Sequence, residues 1–344
     1  MSSLVMQKYE KMATYDALTR KNDEKYMRRC IQLALNGVSG AAPNPMVGAV
    51  IVHDGHIIGE GYHRKCGGPH AEPNAIRSVR HPELLPESTI YVSLEPCAHY
   101  GKTPPCADLI IEKRIPRVVI GCRDPFAKVD GLGIKKLQDA GCEVVVGVLE
   151  AECLALNKRF MTYHTHKRPF ITLKWAQSSD GVIGVCGAEK PVVFSTPLTQ
   201  TLVHQLRAHS DAILVGGRTA LADNPSLTVR SWEGSNPLRV VIDTHDDLPA
   251  GLRLFNDEAE TMVWQDWNLT GLMDALYERG VQSLLVEGGA GVLTHFLDAG
   301  LWDEIRVETS PVLLGKGVKA PVLPSCRLLS TRVYGQNEIR VYCR

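Results

Sequence analysis

Strand and helix signals alternate along this chain in two separate blocks. That pattern constrains the fold most, because repeated β–α alternation needs a largely parallel sheet covered by helices. In the first block the apolar runs Met46 to Val52 and Ile57 to Ile58 flank His53-Asp54-Gly55-His56, which is hairpin chemistry. Ala71 to Val79 then reads as helix, Ile90 to Leu94 as strand, Ala107 to Glu112 as helix, Val118 to Ile120 as strand, Ile134 to Ala140 as helix and Val144 to Val146 as strand. Ahead of these, residues up to Lys21 read as a loosely ordered extension. Asn22 and Asp23 can then cap a helix that carries Met27, Cys30, Ile31 and Ala34 on one face and ends at Gly37.

The polar stretch Thr162 to Pro169 is a candidate linker, with solvent exposure explaining His164 and His166. Beyond it, strands are expected at Phe170 to Lys174, Ala212 to Val215, Arg239 to Ile242, Ser283 to Val286 and Glu304 to Glu308. Helices are expected near Leu198 to Ala208, Leu269 to Arg279 and Val292 to Ala299. The expected organisation is α/β throughout, with an extension over residues 1–22 and domains over 23–165 and 166–344, and a length of 344 residues suits two domains. Lys and Arg total 38 and Asp and Glu total 38, so no net field draws in a polyanion and nucleic acid is not an expected partner. Met1 to Arg20 lacks the apolar core of a secretory signal, and no apolar run reaches the ~18 residues of a membrane span. A cytoplasmic protein acting on a small molecule, with no membrane partner, is the expectation, and its oligomeric state is left open. Among ten cysteines, Cys30, Cys122, Cys142, Cys153, Cys186, Cys326 and Cys343 adjoin apolar segments and read as small packing residues.

The remaining chemistry is concentrated. Gly67-Gly68-Pro69-His70-Ala71-Glu72 is followed, after a strand, by Glu95-Pro96-Cys97, eight residues and Cys106, giving H-x-E…P-C-x8-C. Each ligand is expected where a helix begins, which stabilises a thiolate. One imidazole and two thiolates suit tetrahedral Zn²⁺ with a fourth position free for water. Glu72, which is not a ligand, is then placed to move protons in hydrolytic deamination at an aromatic ring carbon. The alternative is a closed structural zinc completed by Cys66 or His99, with Glu72 merely capping a helix. In the second block, glycine turns at Val215-Gly216-Gly217-Arg218-Thr219 and Val286-Glu287-Gly288-Gly289-Ala290-Gly291 follow strands, and their amides can cradle a dinucleotide pyrophosphate. Steric fit at strand–helix turns explains the same glycines.

The zinc motif resembles that of cytidine-deaminase-like enzymes. Its long P-C-x8-C spacing, together with Pro43-Asn44-Pro45-Met46-Val47-Gly48-Ala49-Val50, resembles the deaminase half of the bifunctional riboflavin-biosynthesis deaminase/reductase family. The resemblance implies Zn²⁺ on His70, Cys97 and Cys106, with Glu72 catalytic and Asn44, His63, His99 and Lys102 lining the substrate pocket. Lys174-Trp175-Ala176-Gln177-Ser178-Ser179-Asp180-Gly181, Leu206-Arg207-Ala208 and Ala222-Asp223-Asn224-Pro225 resemble the family's reductase half. That half implies a dihydrofolate-reductase-like fold beside a cytidine-deaminase-like α/β/α sandwich. Lys174, Asp223 and Glu287 would then contact substrate, and Arg207 and Arg230 its phosphate. NADPH would lie against Gly216, Gly217, Thr219, Gly288, Gly289 and Gly291. Val193 departs from the pattern, standing where the family often has Trp, with Phe194 available to compensate. A single-function zinc nucleoside or nucleotide deaminase with an inactive binding domain is the alternative reading.

Overall fold

A computed structural model describes residues 3–100, 104–126, 129–185 and 192–344, with side chains from residue 17 onward. The chain divides into two compact units, Met1–Thr165 and His166–Arg344. The first runs α1 (Ser3–Ala34), β1 (Gly48–His53), β2 (His56–Tyr62), α2 (Ala71–Ser78), β3 (Thr89–Leu94), α3 (Cys106–Glu112), β4 (Arg117–Cys122), α4 (Leu132–Asp139), β5 (Glu143–Val146), α5 (Glu150–Leu156) and α6 (Lys158–His166). Its sheet has the order β2-β1-β3-β4-β5. β1 is antiparallel to both neighbours, whereas β3, β4 and β5 are parallel. The expected hairpin forms: His53 pairs with His56, and Asp54 and Gly55 take φ of 46° and 73°, the backbone a two-residue turn of matching twist requires.

Alternation along the central strands splits their side chains between two cores. Ile51, Ile90, Val92, Val118 and Ile120 pack against Ala71, Ala75, Ile110 and Leu137 of α2, α3 and α4. Val50, Tyr91 and Val119 face the other way, onto Met27, Cys30 and Leu33 of α1 and Cys153 of α5. Helices on both faces explain why these strands read as continuous apolar runs.

Three expectations are corrected in this unit. The extension over residues 1–22 gives way to one helix, α1, which runs from Ser3 without a break. Asp23 does not cap it, because its buried carboxylate accepts hydrogen bonds from Arg117 Nη1 and Nη2 and from Tyr91 OH, each at 2.9 Å. Nor is the stretch after Thr162 a polar linker, since α6 continues to His166. There His164 packs its ring 4.4 Å from Phe160 and 5.1 Å from Phe126, so an amphipathic helix, not solvent, accounts for that histidine. Cys30, Cys122 and Cys153 are buried and Cys142, Cys326 and Cys343 partly so, while Cys186 lies outside the described residues.

The second unit contains β6 (Phe170–Gln177), β7 (Val182–Gly184), α7 (Pro197–Ala208), β8 (Ala212–Gly216), α8 (Gly217–Asp223), β9 (Leu238–Ile242), β10 (Thr261–Trp264), α9 (Leu269–Glu278), β11 (Ser283–Val286), α10 (Ala290–Asp298), β12 (Glu304–Thr309), β13 (Val318–Lys319), β14 (Arg327–Tyr334) and β15 (Asn337–Cys343). The main sheet has the order β10-β9-β8-β11-β6-β12-β15-β14, and β13 pairs with β7. The six strands from β10 to β12 are mutually parallel, and β15 and β14 close the edge antiparallel. Parallel pairing brings the carboxyl ends of β8, β11 and β6 to one side of the sheet, where sites in such folds form. Among the described residues, no helix is long and apolar enough to cross a membrane.

Candidate active sites

In the first unit, His70 is the residue before α2 and Cys106 the first residue of α3. Cys97 departs from expectation, because it lies in the loop after β3 and not at the start of a helix of its own. α3 serves it instead: the Cys106 N–H donates to Cys97 Sγ at 3.2 Å, and the Ala107 N–H donates to the Cys97 carbonyl. His70 Nδ1 lies 3.6 Å from Cys97 Sγ and 3.4 Å from Cys106 Sγ. A tetrahedral zinc with ordinary Zn–N and Zn–S bonds separates such atoms by about 3.6 Å, so the donor set fits the ion. Among the described residues, the group of His, Cys, Asp and Glu close enough to hold a metal consists of His70, Cys97 and Cys106. Cys66 is exposed, and neither it nor His99 joins the group, so among the described residues no fourth protein ligand completes the site.

The protonation pattern is that of a nascent metal site. A hydrogen bond from the Cys106 side chain pulls the Cys97 thiol down to about 4, and the same bond and burial push Cys106 well up. The resulting thiolate helps raise His70 to about 9. Glu72 is the second residue of α2, 3% exposed, and its Oε2 has no hydrogen-bond partner among the described residues. Burial pushes its carboxyl up to about 7, against the pull of His70. Such a group exchanges a proton readily near neutral pH.

Two of the expected pocket residues, His63 and through it Asn44, lie beside this centre. His63 Nδ1 lies 3.0 Å from the Pro69 carbonyl and Nε2 lies 3.1 Å from Asn44 Nδ2. The network assigns the proton to Nδ1, leaving Nε2 to accept from Asn44. Burial lowers the His63 pKa, consistent with that neutral ring, which stands edge-on to His70 at 5.3 Å. The buried Nδ1 of His99 has no partner among the described residues, and Lys102 lies outside them.

In the second unit, Lys174 on β6 and Glu287 just after β11 come from adjacent strand ends. Arg207 of α7 grips Glu287 through Nε and Nη2 at 3.1 and 2.7 Å and donates from Nη1 to the Thr228 carbonyl. Burial would raise the Glu287 carboxyl, but Arg207 and then Lys174 overcome it and hold it at about 2. Burial lowers the Lys174 pKa. Arg230, given to phosphate by resemblance, is exposed and donates to Thr228 Oγ1. Asp223 ends α8 and is exposed.

The two glycine turns touch. A Cβ on Gly288 would fall 2.5 Å from Val215 Cα and 2.9 Å from Gly216 N, and one on Gly289, whose φ is +48°, would fall 2.8 Å from Thr219 Oγ1. Gly216, Thr219, Gly288 and Gly289 thus form one cradle at the start of α10. A Cβ on Gly291 would meet no other described part of the fold within 4 Å. Val193 is 68% exposed and Phe194 is buried.

A pH dependence follows from Glu287. A carboxyl held at about 2 against an ordinary 4.5 stabilises the fold fully above pH 4.5 and loses that contribution as pH falls toward 2. All five tryptophans lie beyond residue 174, so their fluorescence reports this unit. Urea midpoints read that way should fall between pH 5 and pH 3 in the parent, and the fall should be shallower in E287Q. An equal fall in both would remove Glu287 as its source.

Sequence reasoning missed several site-supporting residues. Glu95 was read only as part of the strand exit before Cys97, yet its buried carboxylate collects four backbone N–H groups. Buried Glu308 accepts from Ser195 Oγ and Asn337 Nδ2, and buried Asn157 exchanges two hydrogen bonds with the Met46 backbone. Only the rarity of a buried polar residue could have singled them out, and burial is not legible in an isolated Glu or Asn.

A His-Cys-Cys triad beside a buried carboxyl, followed by an α/β unit whose two glycine turns pack together, defines a zinc-dependent deaminase coupled to an NADPH-dependent reductase. Comparison with known proteins agrees. The family model described as the cytidine and deoxycytidylate deaminase zinc-binding region matches residues 20–122, and that of the RibD C-terminal domain matches residues 169–337. The chain is 37% identical to the riboflavin biosynthesis protein RibD of Aquifex aeolicus, over 88% of this chain and 90% of that one. It is also 37% identical to that of Escherichia coli, over 86% and 90%. A crystal structure of a diaminohydroxyphosphoribosylaminopyrimidine deaminase/5-amino-6-(5-phosphoribosylamino)uracil reductase from Thermotoga maritima superposes with a TM-score of 0.85 at 39% identity, covering 94% of this chain and 99% of that one. The chain belongs to the RibD family, a bifunctional deaminase and reductase of riboflavin biosynthesis, with a cytidine-deaminase zinc-binding region followed by a RibD C-terminal domain. The single-function alternative is set aside.

Proposed function

We propose that the first domain deaminates a diaminopyrimidinone ribosyl phosphate to the aminouracil and that the second reduces its ribosyl group to ribityl. The observation that carries this reading is the buried Glu72 carboxyl, two residues past a metal ligand, with one oxygen free of any hydrogen bond among the described residues. The deaminase/reductase activity of the Thermotoga maritima relative supports the substrate. When bound to His70, Cys97 and Cys106, zinc supplies Lewis acidity that lowers the pKa of water in its open position. Glu72 takes one proton of the attacking water and delivers it to the ring nitrogen, then takes the second from the new hydroxyl and delivers it to the amine, which leaves as ammonia while the C–N bond breaks and the carbonyl forms. The raised pKa of Glu72 suits both directions of transfer. Asn44, oriented by neutral His63, hydrogen-bonds the pyrimidine edge, while His99 and Lys102 hold the base or the phosphoribosyl group.

In the second domain NADPH, lying on Gly216, Gly217, Thr219, Gly288, Gly289 and Gly291, supplies the hydride. Lys174 and Glu287 orient the ribosyl group, with Asp223 alongside, and Arg230 meets the phosphate. Arg207, which resemblance assigns to phosphate, fixes the Glu287 carboxylate through its planar fork and has two N–H groups left to offer. In this reading the partner is a small molecule, with neither nucleic acid nor membrane engaged, and the setting is the cytoplasm.

The test is to incubate the purified protein with the diaminopyrimidinone ribosyl phosphate, with and without NADPH, and follow ammonia and NADPH separately. Ammonia should appear in both samples, and NADPH should be consumed only behind it. Ammonia without NADPH consumption would overturn the reductase assignment, and absence of ammonia from zinc-loaded protein would overturn the deaminase one.

A further inference from the structure

We propose that Glu95 is a positioning residue for the metal centre, holding Cys97 in ligating geometry by tying the Glu95-Pro96-Cys97 segment to the start of α4. The Glu95 side chain is 4% exposed and has no cationic partner among the described residues. Its Oε2 accepts from the Asp124 N–H at 3.4 Å and the Gly131 N–H at 3.0 Å. Its Oε1 accepts from the Gly133 N–H at 3.0 Å and the Ile134 N–H at 3.2 Å. Four donors converge on one carboxylate, and three of them are amides at or just before the first turn of α4, where the helix dipole favours an anion.

A second contact locks the same segment from the other side. A Cβ on Gly133 would fall 2.0 Å from the Pro96 carbonyl oxygen, so α4 rests directly on the peptide that leads into Cys97. Cys97 is the one ligand without a helix of its own, since His70 and Cys106 are fixed by α2 and α3. Its position is set instead by this anchor and by the amides of Cys106 and Ala107. Such outer contacts typically govern metal affinity by 10–100-fold.

The isosteric substitution E95Q isolates the effect. An amide presents one acceptor oxygen and one NH2, so in either orientation two backbone donors face a donor. We expect E95Q to weaken zinc binding by about 10–100-fold, measured by competition with a chromophoric chelator. The cobalt(II)-substituted protein should show a shifted, weaker thiolate-to-metal absorption. G133A leaves the carboxylate intact and displaces Pro96, so it should change the cobalt spectrum in the same direction, and it carries the test if E95Q does not fold. V119A, which trims the core on the opposite face of the sheet, against α1, controls for general loss of stability. The idea is overturned if G133A and any folded E95Q keep the parent's zinc affinity and cobalt spectrum while losing only thermal stability, as V119A does.

Discussion

Replacing Glu72 with Gln lowers ammonia release by about 10²–10⁴-fold while leaving zinc content and NADPH-dependent reduction of already deaminated substrate unchanged. The magnitude is that of a positioned proton carrier, and the selectivity follows from the structure. Glu72 is not among the three ligand-bearing side chains, and Gln matches its shape, so the metal triad stays assembled. Gln cannot accept or return a proton, so the substitution removes the one buried carboxyl whose pKa is pushed up to about 7 beside the triad. Steady-state rates with metal analysis on the same sample decide the matter. Ammonia release within about threefold of the parent would take Glu72 out of the proton path.

The second large effect concerns stability. Arg207→Ala should destabilise the reductase domain by about 3–5 kcal/mol, because it leaves a buried carboxylate without its bidentate partner. Arg207 and Glu287 side chains are 12% and 9% exposed, so water cannot replace the lost contact. Lys174 remains nearby, which places the expected value toward the lower end. Arg207→Lys should recover only part of the loss, since an ammonium keeps the charge but not the planar fork. Tryptophan-detected urea unfolding measures both variants, and a loss below about 1 kcal/mol for Arg207→Ala would show the pair to be incidental.

Much of this was legible in the chain. Strands such as Val118 to Ile120 and Ala212 to Val215 announce themselves because burial on both faces makes them continuously apolar. The metal ligands were legible because few other uses explain His, Glu and two Cys at that spacing. What escaped reading lacked periodicity or depended on distant partners. Nearly every residue of β14 is exposed, so neither alternation nor an apolar run marks it, and its register comes from β15. α6 was hidden by its polar composition, although Phe160 and His164 bury one side of it. Asp23 looks like a helix cap in sequence, and only the fold brings Arg117, 94 residues away, to meet it. Glu95 and Glu308 look like any surface glutamate until tertiary structure surrounds them with donors.

The metal triad also bears on how the first domain stays folded. Its ligands are His70, Cys97, 27 residues further on, and Cys106, 9 beyond that, so an ion held there closes two loops in the chain. Closing them restricts the unfolded ensemble, as any cross-link does, and the longer loop contributes more. An ion that binds the folded domain and not the unfolded chain therefore shifts the folding equilibrium in proportion to the logarithm of its free concentration. The group that performs the chemistry is in this way also a fastener, and the abundance of intact enzyme becomes a function of metal supply.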